Sequence, residues 1–108
     1  MTGSTPNEES RRAPIVARFE MAITPADFQR LAPLLPGANR AQFEAMSACC
    51  EEPGGRRWQI ILSNPRTHSF ARLSVPLTDV EIEMTGYNPS EAQDFLERFH
   101  LIFRRGGG

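Results

Sequence analysis

The chain has no lysine. All 12 of its basic residues are arginine, which excludes Schiff-base chemistry on a lysine amine, the lysine of a phosphate-binding loop and the kinase lysine. A GC-rich, bacterial-like coding bias accounts for such a composition; the competing reading is selection for the planar, bidentate fork of arginine against carboxylates or phosphates. Cysteine is nearly as scarce. The two present, Cys49 and Cys50, are adjacent, so they cannot form an ordinary disulfide framework. Charge of one sign is also missing: 13 acidic residues face 12 basic ones, a net charge of -1, so no global field favours a polyanion. No apolar run approaches the length of a membrane-crossing helix. Met1 to Ser10 is polar and lacks the apolar stretch of a secretory signal. A cytoplasmic protein, with no membrane partner, is the expectation.

What remains is enough to fold. A 108-residue chain with 40% hydrophobic residues and seven phenylalanines suits one compact domain rather than a disordered segment. Residues 1–13 read as a disordered N-terminal tail, 14–105 as a single α+β domain and 106–108 as a flexible C-terminal tail.

One phrase occurs twice. Thr24-Pro25-Ala26-Asp27 and Asn88-Pro89-Ser90-Glu91 each place a capping side chain, a proline and an acid ahead of a helical pattern. After the first, Phe28, Leu31, Ala32 and Leu35 share one face until Pro33 and Pro36-Gly37 end the helix. After the second, Ala92, Phe95, Leu96, Phe99, Ile102 and Phe103 make an apolar stripe, stopped by Gly106-Gly107-Gly108. Between and before them the period is two. Ile15 to Ile23 alternates, as do Trp58, Ile60 and Leu62, then Ala71, Leu73 and Val75, then Val80, Ile82 and Met84. Asn64-Pro65-Arg66-Thr67 reads as a turn, and Pro76 as a strand end. Residues 38–52 suit either a helix capped by Asn39 or a strand entering a hairpin through Pro53-Gly54-Gly55. The Ala and Glu content favours helix; the turn and the short spacing favour strand.

The resulting order is β-α-β-β-β-β-α: a four- or five-stranded, mainly antiparallel sheet with two helices on one face. As topology it resembles the TATA-binding-protein-like and helix-grip arrangements, in which a curved antiparallel sheet wraps helices. The resemblance covers element order over roughly residues 14–105 and no residue motif, so it carries no function. The predicted core is Ile15, Phe19, Met21, Phe28, Leu31, Trp58, Ile60, Leu62, Leu73, Val80, Ile82, Met84, Phe95, Leu96, Phe99 and Ile102.

No catalytic signature stands out. Glu20, Glu81, Glu83 and His68 could act as bases and Ser63, Ser69 or Ser74 supply a hydroxyl, but no nucleophile elbow, H-E-x-x-H pair or phosphate loop accompanies them. Cys49, Cys50, His68 and His100 have ligand chemistry without zinc-site spacing. Neither a catalytic residue, a metal site nor a cofactor is therefore assigned. The candidate interaction face is the sheet side opposite the helices: Arg18, Glu20, Arg57, Gln59, Arg72, Glu81 and Glu83, with Ile61, Ser74 and Asp79. The competing reading, favoured on the ordinary behaviour of exposed charge, is a solvated surface with cross-strand Arg–Glu pairs. The leading expectation is a small soluble protein-interaction or accessory module, with a protein partner or a second copy of itself. The first alternative is a nucleic-acid-binding domain using Arg18, Arg57 and Arg72, flanked by Arg11, Arg12 and Arg66, with Trp58 and His68 near them in sequence. The second is a carrier of a small amphipathic ligand held against Phe95, Phe99 and Phe103.

Overall fold

The computed structural model describes residues 13–107, with side chains described as far as Arg104. Among these residues five antiparallel strands form one sheet: β1 (Ile15–Met21), β2 (Ala41–Phe43), β3 (Ser47–Glu51), β4 (Arg57–Phe70) and β5 (Leu73–Thr85), in the spatial order β1-β5-β4-β3-β2. Two helices, α1 (Pro25–Leu31) and α2 (Pro89–Gly107), complete the predicted α+β order. The predicted tail falls almost entirely outside the described residues. At the other end α2 continues through Gly106 and Gly107, beyond the predicted stop; glycine weakens a helix without forbidding it.

Both helix starts are closed by reciprocal side-chain bonds. The Thr24 hydroxyl accepts from the Asp27 amide at 3.1 Å while Asp27 accepts from the Thr24 amide at 3.0 Å. Asn88 and Glu91 repeat the arrangement at 2.8 and 3.0 Å. Each box satisfies two amides that the helix leaves unpaired. The Thr24 backbone N–H holds the Asp27 carboxyl below its usual range. Pro33 ends α1 as its sequence suggests, and the chain tightens into a 3₁₀ turn at Ala32–Leu34.

The inner face of the sheet and the two helices share one core. Phe28, Trp58, Ile60, Ile82, Met84 and Phe99 are fully enclosed. The α2 rings interlock with the sheet and with α1. Phe95 meets Trp58 at 5.5 Å between centroids, Phe99 meets Phe19 at 5.9 Å, and Phe103 stacks on Phe28 at 5.9 Å. Trp58 also donates its indole N–H to the Pro36 carbonyl at 3.2 Å, fastening the segment after α1 to the sheet. Ile23, Leu35, Tyr87 and Phe103 belong to this core although the predicted set omits them.

Residues 38–52 resolve into a 3₁₀ turn at Ala38–Arg40 followed by the β2–β3 hairpin. The strand reading holds, with two short strands in place of one. The Pro53-Gly54-Gly55 hairpin also forms, joining β3 to β4.

The largest correction concerns residues 64–77. Asn64-Pro65 does not turn the chain. It forms a bulge inside β4, where Asn64 and Pro65 oppose the single residue Thr78, between the pairs Ser63–Asp79 and Arg66–Leu77. Asn64 adopts φ +53° there, a conformation asparagine tolerates, and Pro65 has no N–H to leave unpaired. The reversal comes later, at Ala71-Arg72, with Phe70 paired to Leu73. Consequently the two strands read at residues 71–75 and 79–85 are one strand, β5.

Ala71 takes φ +53° at this reversal, where a side chain costs about 1–2 kcal/mol. Ala71→Gly is expected to raise stability by about 0.5–1 kcal/mol, read as a higher urea midpoint at unchanged slope. An unchanged or lower midpoint would show that no strain resides in the turn.

Candidate interaction surface

The face away from the helices is built from alternating residues of every strand. Directly opposed residues of an antiparallel ladder share a face, so its rows follow from register. Arg18 lies opposite Glu81, which lies opposite Ile61; Glu83 lies opposite Gln59; Glu20 lies opposite Asp79; Arg57 lies opposite Thr85 and Glu51. Six of the predicted face residues, Arg18, Glu20, Arg57, Gln59, Glu81 and Glu83, are thus brought together. Arg72 is not. It sits in the β4–β5 reversal, about 30 Å along β5 from Glu81 by strand rise. Ser74 falls on the inner side of the ladder, opposite Ser69, their hydroxyls 3.2 Å apart.

The face is predominantly acidic, and two of its arginines already engage carboxylates. Arg18 donates from Nε to Glu81 at 2.9 Å. Arg66 donates to Asp79 at 3.1 Å and to Glu20, and to the Asn64 carbonyl at 2.8 Å. This second group ties the bulge to β1 and β5 and fixes where the hairpin leaves the sheet.

Beyond β1 and β3 that hairpin continues as a two-stranded arm. The extra residue at the bulge shifts β4 by one position, so the outward set changes from Arg57, Gln59, Ile61 and Ser63 to Arg66, His68 and Phe70. Across the ladder they meet Leu77, Val75 and Leu73. The polarity of the two faces therefore reverses along the molecule. On the sheet the outer face is charged; on the arm it carries His68, Phe70, Leu73, Val75 and Leu77, while Thr67, Ser69, Ser74 and Pro76 occupy the inner side. Phe70 and Leu73 are 53% and 58% exposed, and the His68 ring lies 5.5 Å from that of Phe70. Leu73, predicted as core, is the most exposed apolar residue of this patch. Phe70 is its direct neighbour across the ladder.

The other candidates are dispersed or engaged. Cys49 and Cys50 point to opposite faces, Cys50 being buried against the Gly37 carbonyl at 3.3 Å; burial pushes its thiol up. His68 is on the arm and His100 on α2, where burial and then Arg104 lower the imidazole pKa. Among the described residues, no group of three or more His, Cys, Asp or Glu is placed to hold a metal ion. Trp58 is core and cannot stack on a base. Arg56 binds Glu52 at 3.2 Å and Glu91 at 3.1 Å and lies 4.7 Å over the Tyr87 ring. The Tyr87 hydroxyl donates to Glu52 at 3.2 Å, and burial, then Glu52, raise the phenol above its usual range. This cluster locks the β3–β4 loop onto the start of α2. Arg11 and Arg12 lie outside the described residues. No helix among the described residues is long and apolar enough to cross a membrane.

The arm escaped sequence reasoning because its two signals mislead. Asn-Pro imitates a turn, and Ala-Arg does not announce one. The legible clue was Phe70 and Leu73 flanking a two-residue gap, the spacing of a tight hairpin. No family model, curated protein or solved structure matches the chain.

Proposed function

We propose that this domain is a small interaction or accessory module that docks a protein partner on the apolar outer face of its β4–β5 arm. The observation that carries the reading is the reversal of polarity at the Asn64-Pro65 bulge. Phe70 and Leu73 stand in solvent on a projecting ladder while the same face of the sheet is charged. Grouped, exposed apolar side chains with a polar surround mark binding surfaces more often than isolated ones do. A two-stranded arm also presents free backbone edges for an added strand.

Nucleic acid is less well supported. The sheet face sets Glu20, Glu51, Asp79, Glu81 and Glu83 beside its arginines, and phosphate binding favours an unopposed basic stripe. The carrier reading loses its motive, because Phe95, Phe99 and Phe103 pack on Trp58, Phe19 and Phe28.

A photoreactive phenylalanine in place of Phe70 tests the docking face. In a lysate of the source cell it is expected to give a discrete protein adduct that the same residue at Gln93, on the exposed side of α2, does not give. Leu73→Glu is expected to abolish the adduct while changing stability by no more than about 0.5 kcal/mol, as for an exposed site. Identical adducts from both positions, or an adduct insensitive to Leu73→Glu, would rule out the arm as the docking face.

A further inference from the structure

β1 is an edge strand, and its sequence is complementary to itself. We propose that it pairs antiparallel with β1 of a second copy, about a two-fold axis through Phe19, to join two sheets into one. The inference rests on reading the domain as an interaction module and names one of its partners.

β1 spans seven residues and pairs with β5 along one side; among the described residues its other side ends the sheet. An edge of this kind attracts further strands, and natural sheets protect it with charge. Here the charges are Arg18 and Glu20, one position either side of Phe19, both on the outer face.

In a two-fold antiparallel pair, residues whose numbers have the same sum face each other. Centring the pair on Phe19 places Arg18 opposite Glu20 of the second copy and Glu20 opposite its Arg18. Two reciprocal ion pairs result. Neighbouring registers lose this match. Centring on Arg18 opposes two arginines, and centring on Glu20 opposes two glutamates. Centring on Ala17 leaves Arg18 against Val16. The charges thus reject these neighbouring registers and favour one, as charge patterning does in other specific pairings.

Both groups can take a second partner. Arg18 binds Glu81 through Nε alone, and its guanidinium is a fork of several donors. Glu20 receives Arg66 on Oε2. In the dimer Arg18 would bridge Glu81 of its own chain and Glu20 of the other.

The inner face supplies the apolar part. At the β1 edge Phe19, Met21 and Ile23 line a groove of about 370 Å³ together with His100 and Phe103 of α2. Phe19 is only half-buried, although its ring lies 4.8 Å from that of His100 and 5.9 Å from that of Phe99. The proposed register brings Phe19 against Phe19 of the second copy and Met21 against its Ala17, covering the groove from its open side.

The test is sedimentation equilibrium of the whole chain across a wide concentration range, with charge variants. The wild type is expected to self-associate as a dimer. Arg18→Glu opposes like charges at both ends of the pairing and is expected to weaken the dimer roughly tenfold or more. The exchange Arg18→Glu with Glu20→Arg restores opposite charges in the same register and is expected to restore the dimer. Should a variant fold poorly, the wild type still decides. In a mixture of labelled and unlabelled chains, filtered NOEs are expected between Arg18 and Glu20 of different molecules. A monomeric wild type, a dimer indifferent to Arg18→Glu, a failed rescue by the exchange in a folded protein, or intermolecular NOEs placed elsewhere would each overturn the proposal. A monomer would make Arg18 and Glu20 guards of the edge and leave the arm as docking face intact; loss of the arm adduct would leave β1 pairing intact.

Discussion

Trp58→Ala is expected to remove about 3–5 kcal/mol of folding stability, the range for deleting a fully enclosed aromatic side chain. Trp58 is completely buried, lies opposite Cys50 on β3 and Met84 on β5, and meets Phe95 of α2 at 5.5 Å. It therefore joins three strands to the main helix. Its indole N–H also supplies the Pro36 carbonyl, so truncation leaves both a cavity and an acceptor without its donor. Domains of this size hold about 5–15 kcal/mol in total, and each kcal/mol moves the midpoint by about 4–8 °C. A fall of roughly 12–40 °C in Tm is expected by far-ultraviolet circular dichroism. Trp58→Phe retains most of the packing and loses the hydrogen bond, with an expected cost of about 1–3 kcal/mol. A cost below about 1 kcal/mol for Trp58→Ala would place the residue outside the core.

The second large effect concerns backbone against backbone. Gly86, between β5 and α2, has φ +78°, and a Cβ there would come within 2.8 Å of the Gly55 carbonyl oxygen and 3.2 Å of the Arg56 Cα. Neither neighbour is a flexible side-chain tip. Gly86→Ala must therefore adopt a left-handed conformation and also push away the loop that holds Arg56 on Glu52 and Glu91. The expected cost is about 2–4 kcal/mol. Gly54 provides the control, with φ +83° and open space around its Cβ direction, so that Gly54→Ala bears only the conformational part, about 1–2 kcal/mol. Urea denaturation of both variants separates the two contributions. Equal costs would mean that the close approach of the loops contributes nothing.

The parts of this molecule that were legible in the sequence are those set by local chemistry or by long periodic patterns. The two capping boxes could be read residue by residue because a side chain three positions from its amide partner needs no tertiary context. The α2 stripe and the alternation of β1 and of Val80–Met84 were legible because one face of each turns toward the core along its length, fully buried in Val80–Met84 and half-buried in β1. The β4–β5 arm was not, for a physical reason. A bulge resets the period by one, so the alternation before Asn64 predicts the wrong face for everything after it. The five-strand count survived by compensation. Residues 38–52 yielded two strands where one was expected, and β5 absorbed two expected strands into one. The composition of the outer sheet face was legible as far as the main sheet extends. Arg72 left the set because its position depends on where the hairpin turns, and Ala71-Arg72 has none of the residues that mark a tight turn. The self-complementarity of β1 could not be recognised without knowing that β1 is an edge, which is a property of strand order.

The proposed function places a protein partner on the outer face of the arm. The most direct measurement is the amide spectrum of the isotopically labelled domain, titrated first with short DNA and RNA at low and moderate salt, then with unlabelled lysate of the source cell. The expected result is a flat response to nucleic acid, followed in lysate by broadening confined to His68–Val75, absent in Leu73→Glu. Salt-sensitive shifts on Arg18, Arg57 and Arg72 with nucleic acid, and an arm left sharp in lysate, would contradict it.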